Sequence, residues 1–110
     1  MNMTHYQLLA ARTINPAQPD WEKLINFVFG LVGETGETID LLKKIIFHGH
    51  DLNDNRDKLA IELGDCLWYI AGIATAAGID LTEIAKGNIE KLRRRYPDGF
   101  DPEKSRNREE

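Results

Sequence analysis

Residues 59–73 read LAIELGDCLWYIAGI, and in this stretch Leu59, Ile61, Leu63, Cys66, Leu67, Trp68, Tyr69, Ile70 and Ile73 cover every side of a helix. A helix that is apolar all round belongs at the centre of a fold. Two acids, Glu62 and Asp65, interrupt it one turn apart. The polar run Asp51 to Asp57 before it reads as a connection, with Asp54 or Asn55 as the expected N-cap. The helix should reach about Ala77, because Gly78 stands where a C-terminal glycine ends a helix.

Upstream, Leu24, Phe27, Val28, Leu31, Thr38, Leu41, Leu42 and Ile45 recur at helical spacing and predict one long helix, from Asp20 as N-cap to about Phe47. The segment Asn15-Pro16-Ala17-Gln18-Pro19 withholds amide donors and separates that helix from a short N-terminal one containing Tyr6, Leu8, Leu9 and Ile14. Downstream, Asp80-Leu81-Thr82-Glu83 has the spacing of a capping box and opens a fourth helix through Ile84, Ile89 and Leu92 to about Arg95. Pro97-Asp98-Gly99-Phe100 is a turn. No two-residue alternation marks a strand. The expected class is all-α, a bundle of about four helices over residues 1–100, with a loose charged tail over residues 101–110. Three helices are few to cover an apolar fourth in 110 residues, so homo-oligomerisation, at least to a dimer, should complete the bundle.

With 42% apolar and 29% charged residues the chain has the composition of a folded soluble domain. Its net charge of −4 argues against nucleic-acid binding, which depends on neutralising phosphates. The charge is uneven. Lys86 to Arg108 holds eight basic side chains against four acidic ones, so the remainder carries −8. An acidic body with a basic segment suits an anionic ligand that arrives with a divalent cation. The single cysteine, Cys66, excludes an internal disulfide, and Met1 to Ala10 has no signal-peptide pattern. The longest apolar run, Cys66 to Ile79, is shorter than the roughly 20 residues that cross a bilayer, so a cytoplasmic location is expected.

The chemistry lies in the acids. On the second helix Phe27, Leu31, Glu34, Thr38, Leu41 and Ile45 step by four and three, and Glu34 occupies one slot of that seam with Glu37 a turn later. On the third, Leu59, Glu62, Cys66, Tyr69 and Ile73 do the same, with Glu62 in the seam and Asp65 a turn later. Two acid pairs are therefore expected to face inward from neighbouring helices. Buried carboxylates without partners cost several kcal/mol each, and Lys58 is the only basic residue expected on the third helix. A divalent cation held by oxygen alone, Mg²⁺ or Mn²⁺ rather than Zn²⁺, fits better. Gly30, Gly33 and Gly36 each cost about 1 kcal/mol in a helix relative to alanine, which either close helix packing or the approach of a ligand would offset. His48 and His50 read as loop residues and Cys66 as core. A di-iron bundle is disfavoured because no histidine has a glutamate three residues before it.

The run Gly30 to Glu37, followed by Glu62-Leu63-Gly64-Asp65-Cys66-Leu67-Trp68-Tyr69, resembles the MazG-type nucleotide pyrophosphohydrolases of the all-α NTP pyrophosphatase superfamily. Gly33 stands where that family often has the first of two adjacent glutamates. The ending Asn88 to Phe100 is similar to its single-domain members. The resemblance implies Mg²⁺ on Glu34, Glu37, Glu62 and Asp65, and hydrolysis of a (deoxy)nucleoside triphosphate to the monophosphate and pyrophosphate. It also implies a homodimer or homotetramer, with Asn88, Lys91, Arg95 and Tyr96 gripping phosphate or sugar. The alternative is a non-catalytic helical interaction module, or an inactive relative, that binds nucleotide or a protein partner whose basic residues meet the acids. Trp21, Phe47, Trp68 and Tyr69 are the aromatic residues available for base stacking, with core packing the competing role.

Overall fold

A computed structural model describes residues 1–107, and among them there are five helices and no strand. They are α1 (Met3–Ala11), α2 (Asp20–Phe47), α3 (Leu52–Ala77), α4 (Leu81–Arg95) and α5 (Pro102–Arg106). The all-α expectation holds, and the differences lie at helix ends. Pro19, not Asp20, is the N-cap of α2: its extended backbone already turns the chain, and its carbonyl accepts from the Lys23 amide at 3.1 Å. Asp20 then sits in the first turn, where its charge suits the positive end of the helix dipole.

The start of α3 is earlier than its polar residues suggest. Asp51 accepts from the Asn53 amide at 2.7 Å, the Asn55 side chain donates to the Asp51 carbonyl at 2.7 Å, and Arg56 Nε donates to Asn53 at 3.1 Å. These side chains satisfy the terminus, so residues that read as a connection coil into the first turns, and Arg56 joins Lys58 as a basic residue on α3. Gly78 ends the helix in the left-handed region, with φ 73°. Asp80 caps α4 by accepting from the Thr82 amide at 2.9 Å, while Glu83 pairs with Lys86 rather than closing the box. The tail is not wholly loose. Asp101 accepts from the Glu103 amide at 3.0 Å and Pro102 opens α5. The remainder of the tail, residues 108–110, lies outside the described residues.

Helices α2 and α3 form a long hairpin, and both stepped series from the sequence lie buried or half-buried along it. Phe27, Trp68 and Tyr69 make an aromatic knot at one end, with ring centroids 5.0–6.2 Å apart. Gly30 faces that knot, and a Cβ there would fall on the Tyr69 ring. Gly30→Ala should therefore destabilise the fold by about 1 kcal/mol or more, since overpacking outweighs the gain in helix propensity. Gly33→Ala, which meets nothing within 4 Å, should stabilise it slightly, and thermal melts of the pair check the contrast.

Helix α1 lies across α3 and the start of α4. Gln7 fixes it there: its amide donates to Thr75 and to the Ile79 carbonyl at 2.8 Å, and accepts from the Leu81 amide at 2.7 Å. The burial of this polar side chain is thus matched at both ends. Helix α3, against which both α1 and α2 pack, is by length and composition apolar enough to cross a membrane, a property that a central bundle helix shares.

The chain leaves much of its apolar surface uncovered. Among the apolar side chains of the described residues only Phe27, Ala71, Ala74 and Leu81 are buried. The accessible surface is 8090 Å², against about 6,200 Å² for a compact monomer of this mass. The radius of gyration is 17.0 Å, against about 13 Å for a compact chain of this length. Trp21 and Phe47, weighed above as stackers or core, are exposed.

Candidate functional site

The acid constellation forms where the two seams meet. One carboxylate oxygen each from Glu34, Glu62 and Asp65 lies within 4.8 Å of the other two. Glu34 and Glu62 are half-buried because they occupy seam positions facing the opposite helix, whereas Asp65 is exposed. Glu37 is exposed as well, so the expectation that both members of each pair face inward is corrected: Glu37 and Asp65 sit at the edge of the hairpin. Glu37 is outside the group of three and meets Glu62 across a shared cavity.

Two oxygens, Glu34 Oε2 and Glu62 Oε2, are buried without a hydrogen-bond partner. Loss of solvent pushes the Glu62 carboxyl above the usual carboxylate range, followed by the charges of Glu37 and Glu34, a hydrogen bond shared with Glu34, and the charge of Asp65. The Tyr6 hydroxyl on α1 is raised too, by burial and then by Asp65. No ion pair with a lysine or arginine relieves the trio among the described residues. Its donor set is all oxygen, the set that suits Mg²⁺.

Beside the trio is a cavity of about 680 Å³, bounded on α2 by Gly33, Gly36, Glu37, Asp40, Leu41 and Lys44, and on α3 by Asn55, Lys58, Ile61 and Glu62, with His50 from the connection. The size is that of a small-molecule site. Gly33 and Gly36 thus border the cavity while Gly30 serves packing, which divides between them the two roles open from the sequence.

Of the residues expected to grip substrate, Asn88, Lys91, Arg95 and Tyr96, none borders this cavity; they lie on α4 and its C-cap, and α4 packs on α1. Arg95 lies near the Tyr96 ring, 5.9 Å from its centroid. Sequence reasoning weighed Lys58 against the acids and set it aside for a divalent cation, and it did not place Lys44, His50 and Lys58 on one cavity with them. The signal for Lys58 was its place four residues before Glu62, on the same helical face. His50 left none, since only the path of the connection brings it round.

The sequence model of the MazG nucleotide pyrophosphohydrolase domain matches residues 24–100. The chain belongs to this family. The matched MazG region contains all four acids and the whole of α4. Gene 37 protein of Mycobacterium phage L5 is 36% identical over 105 residues, covering 90% of this chain and 92% of that protein. dCTP pyrophosphatase 1 of Bos taurus is 33% identical over 88 residues, 74% of this chain, and the match spans about half, 52%, of that longer protein. No solved structure matches. Membership of the MazG family and the likeness to a dCTP pyrophosphatase support a nucleotide pyrophosphohydrolase activity.

Proposed function

We propose that this chain acts in the cytoplasm and hydrolyses (deoxy)nucleoside triphosphates between the α and β phosphates, giving the monophosphate and pyrophosphate, with Mg²⁺ held by Glu34, Glu62 and Asp65. The observation that carries the metal site is the pair of buried, unpartnered carboxylate oxygens in a trio that makes no ion pair with a lysine or arginine among the described residues. When bound, the ion supplies charge neutralisation at the phosphoryl oxygens. Glu37, outside the trio and on the cavity wall, accepts a hydrogen bond from the attacking water. The water oxygen bonds to the α phosphorus, its proton passes to Glu37, and the bond to the bridging oxygen breaks with its electron pair leaving on the diphosphate.

The uncovered apolar surface supports a homo-oligomer, of which a two-fold dimer is the simplest. Asn88, Lys91, Arg95 and Tyr96 would meet substrate in such an assembly if it carries α4 of one subunit to the cavity of another. The test is a panel of nucleoside mono-, di- and triphosphates, dCTP among them, incubated with the purified protein and Mg²⁺. Pyrophosphate together with the monophosphate is the expected product pair. Release of orthophosphate, or no turnover on any member of the panel, would overturn the proposal and leave a non-catalytic helical module.

A further inference from the structure

The charge of the cavity lining changes along the hairpin. Glu37 and Glu62 lie further from the connection between α2 and α3, and Lys44, Lys58 and His50 bring cations or donors nearer to it, with Asp40 between on α2. A ligand filling the cavity meets both ends at once, and an anion that travels with a divalent cation does so. The two lysines differ in readiness. Lys44 Nζ is held by Asp40 at 3.0 Å, and Lys43 adds a second contact to the same carboxylate at 3.8 Å. Lys58 has no ion-pair partner among the described residues. It is one turn before Glu62 on α3, about 6 Å along the axis, so its ammonium borders the same space as the carboxylates. The arginines and lysines of α4 do not border the cavity, which leaves the α2 and α3 cations as those that the same chain brings to a ligand inside it.

We propose that Lys58 binds the diphosphate leaving group of the substrate, its ammonium meeting the terminal phosphates while the carboxylates next to it serve the reacting end. This rests on the pyrophosphohydrolase reading above. In the reaction the bridging oxygen gains the electron pair of the broken bond, and a lysine at that end neutralises the charge as it develops. Lys44 joins by exchanging Asp40 for phosphate, a costlier step because an existing pair is given up.

Calorimetric titration of the full chain with three probes tests this: Mn²⁺ alone, then inorganic pyrophosphate and a nucleoside monophosphate, each with the metal present. Lys58→Gln should weaken pyrophosphate binding about tenfold or more, as loss of a charged hydrogen bond does, and raise KM for a triphosphate in parallel. Affinity for Mn²⁺ and for the monophosphate should stay at the wild-type level, and Lys58→Arg should restore most of the pyrophosphate affinity. Wild-type pyrophosphate affinity in Lys58→Gln, with Mn²⁺ binding intact, would overturn the assignment of Lys58 and leave the hydrolase reading standing. A wild-type protein that binds no Mn²⁺ and hydrolyses no nucleotide would overturn both.

Discussion

Glu62→Gln should abolish hydrolysis and at the same time make the metal-free protein more heat-stable at neutral pH. The two effects have one cause. In the metal-free fold the Glu62 carboxylate is short of solvent and faces Glu37, Glu34 and Asp65, and every one of these influences opposes its charge. A carboxyl whose folded-state pKa is raised contributes stability that is fully present below its unfolded value and is lost as pH rises through the folded one. At pH 7 the wild type therefore bears an unfavourable charge, which the glutamine removes. Near pH 4, where Glu62 is protonated, the two melting temperatures should converge. Mg²⁺ should raise the wild-type melting temperature at pH 7, less so as the pH falls through the Glu62 range, and should leave the variant unmoved. Activity should fall by about 10³-fold or more, because a bound cation is worth several kcal/mol at the reacting phosphate. Turnover retained in Glu62→Gln, or a melting temperature below wild type with its helicity kept, would remove Glu62 from the metal site.

The seam positions were legible in the sequence, and the edge positions were not. A step of four and three residues fixes which side of a helix faces its partner, so Glu34 and Glu62 could be placed inside from spacing alone. Glu37 and Asp65 lie a turn away from the seam. Whether they point inward depends on how the two helices rotate against each other, which packing of Phe27, Trp68 and Tyr69 decides. The helix ends were misjudged where side chains did the capping: Asp51, Asn53 and Asn55 look like loop formers one by one, yet together they satisfy a helix start. The place of α4 was also hidden. Its basic face predicts an anion partner, but nothing local says that a glutamine on α1 anchors its first turn away from the cavity.

Helix α2 carries a second seam, and a charge in the middle of it should break the assembly. Trp21, Ile25, Val28, Val32, Thr35, Ile39, Leu42 and Ile46 again step by four and three, but all except the half-buried Leu42 are exposed, Val32 by 68% and Ile39 by 60%. At about 100° per residue this stripe lies well away from the face bearing Gly33, Glu37, Asp40 and Lys44, so a partner docked on it leaves the cavity open. The excess surface of about 1,900 Å² per chain, doubled across two copies, falls in the range of obligate homodimers. Two α2 helices meeting antiparallel about a two-fold axis bring the middle of the seam near its own copy, and Val32 lies near that middle. Val32→Glu would then set two carboxylates together in an apolar contact, a cost of several kcal/mol and a dissociation constant raised by about 10²-fold or more. Sedimentation at micromolar concentration should find a dimer or larger for the wild type and a monomer for Val32→Glu. Because only Phe27, Ala71, Ala74 and Leu81 are buried apolar side chains among the described residues of the single chain, the freed monomer should also melt at lower temperature. A wild type that sediments as a monomer, or a Val32→Glu variant that keeps the wild-type mass, would show that this stripe is not what holds two copies together.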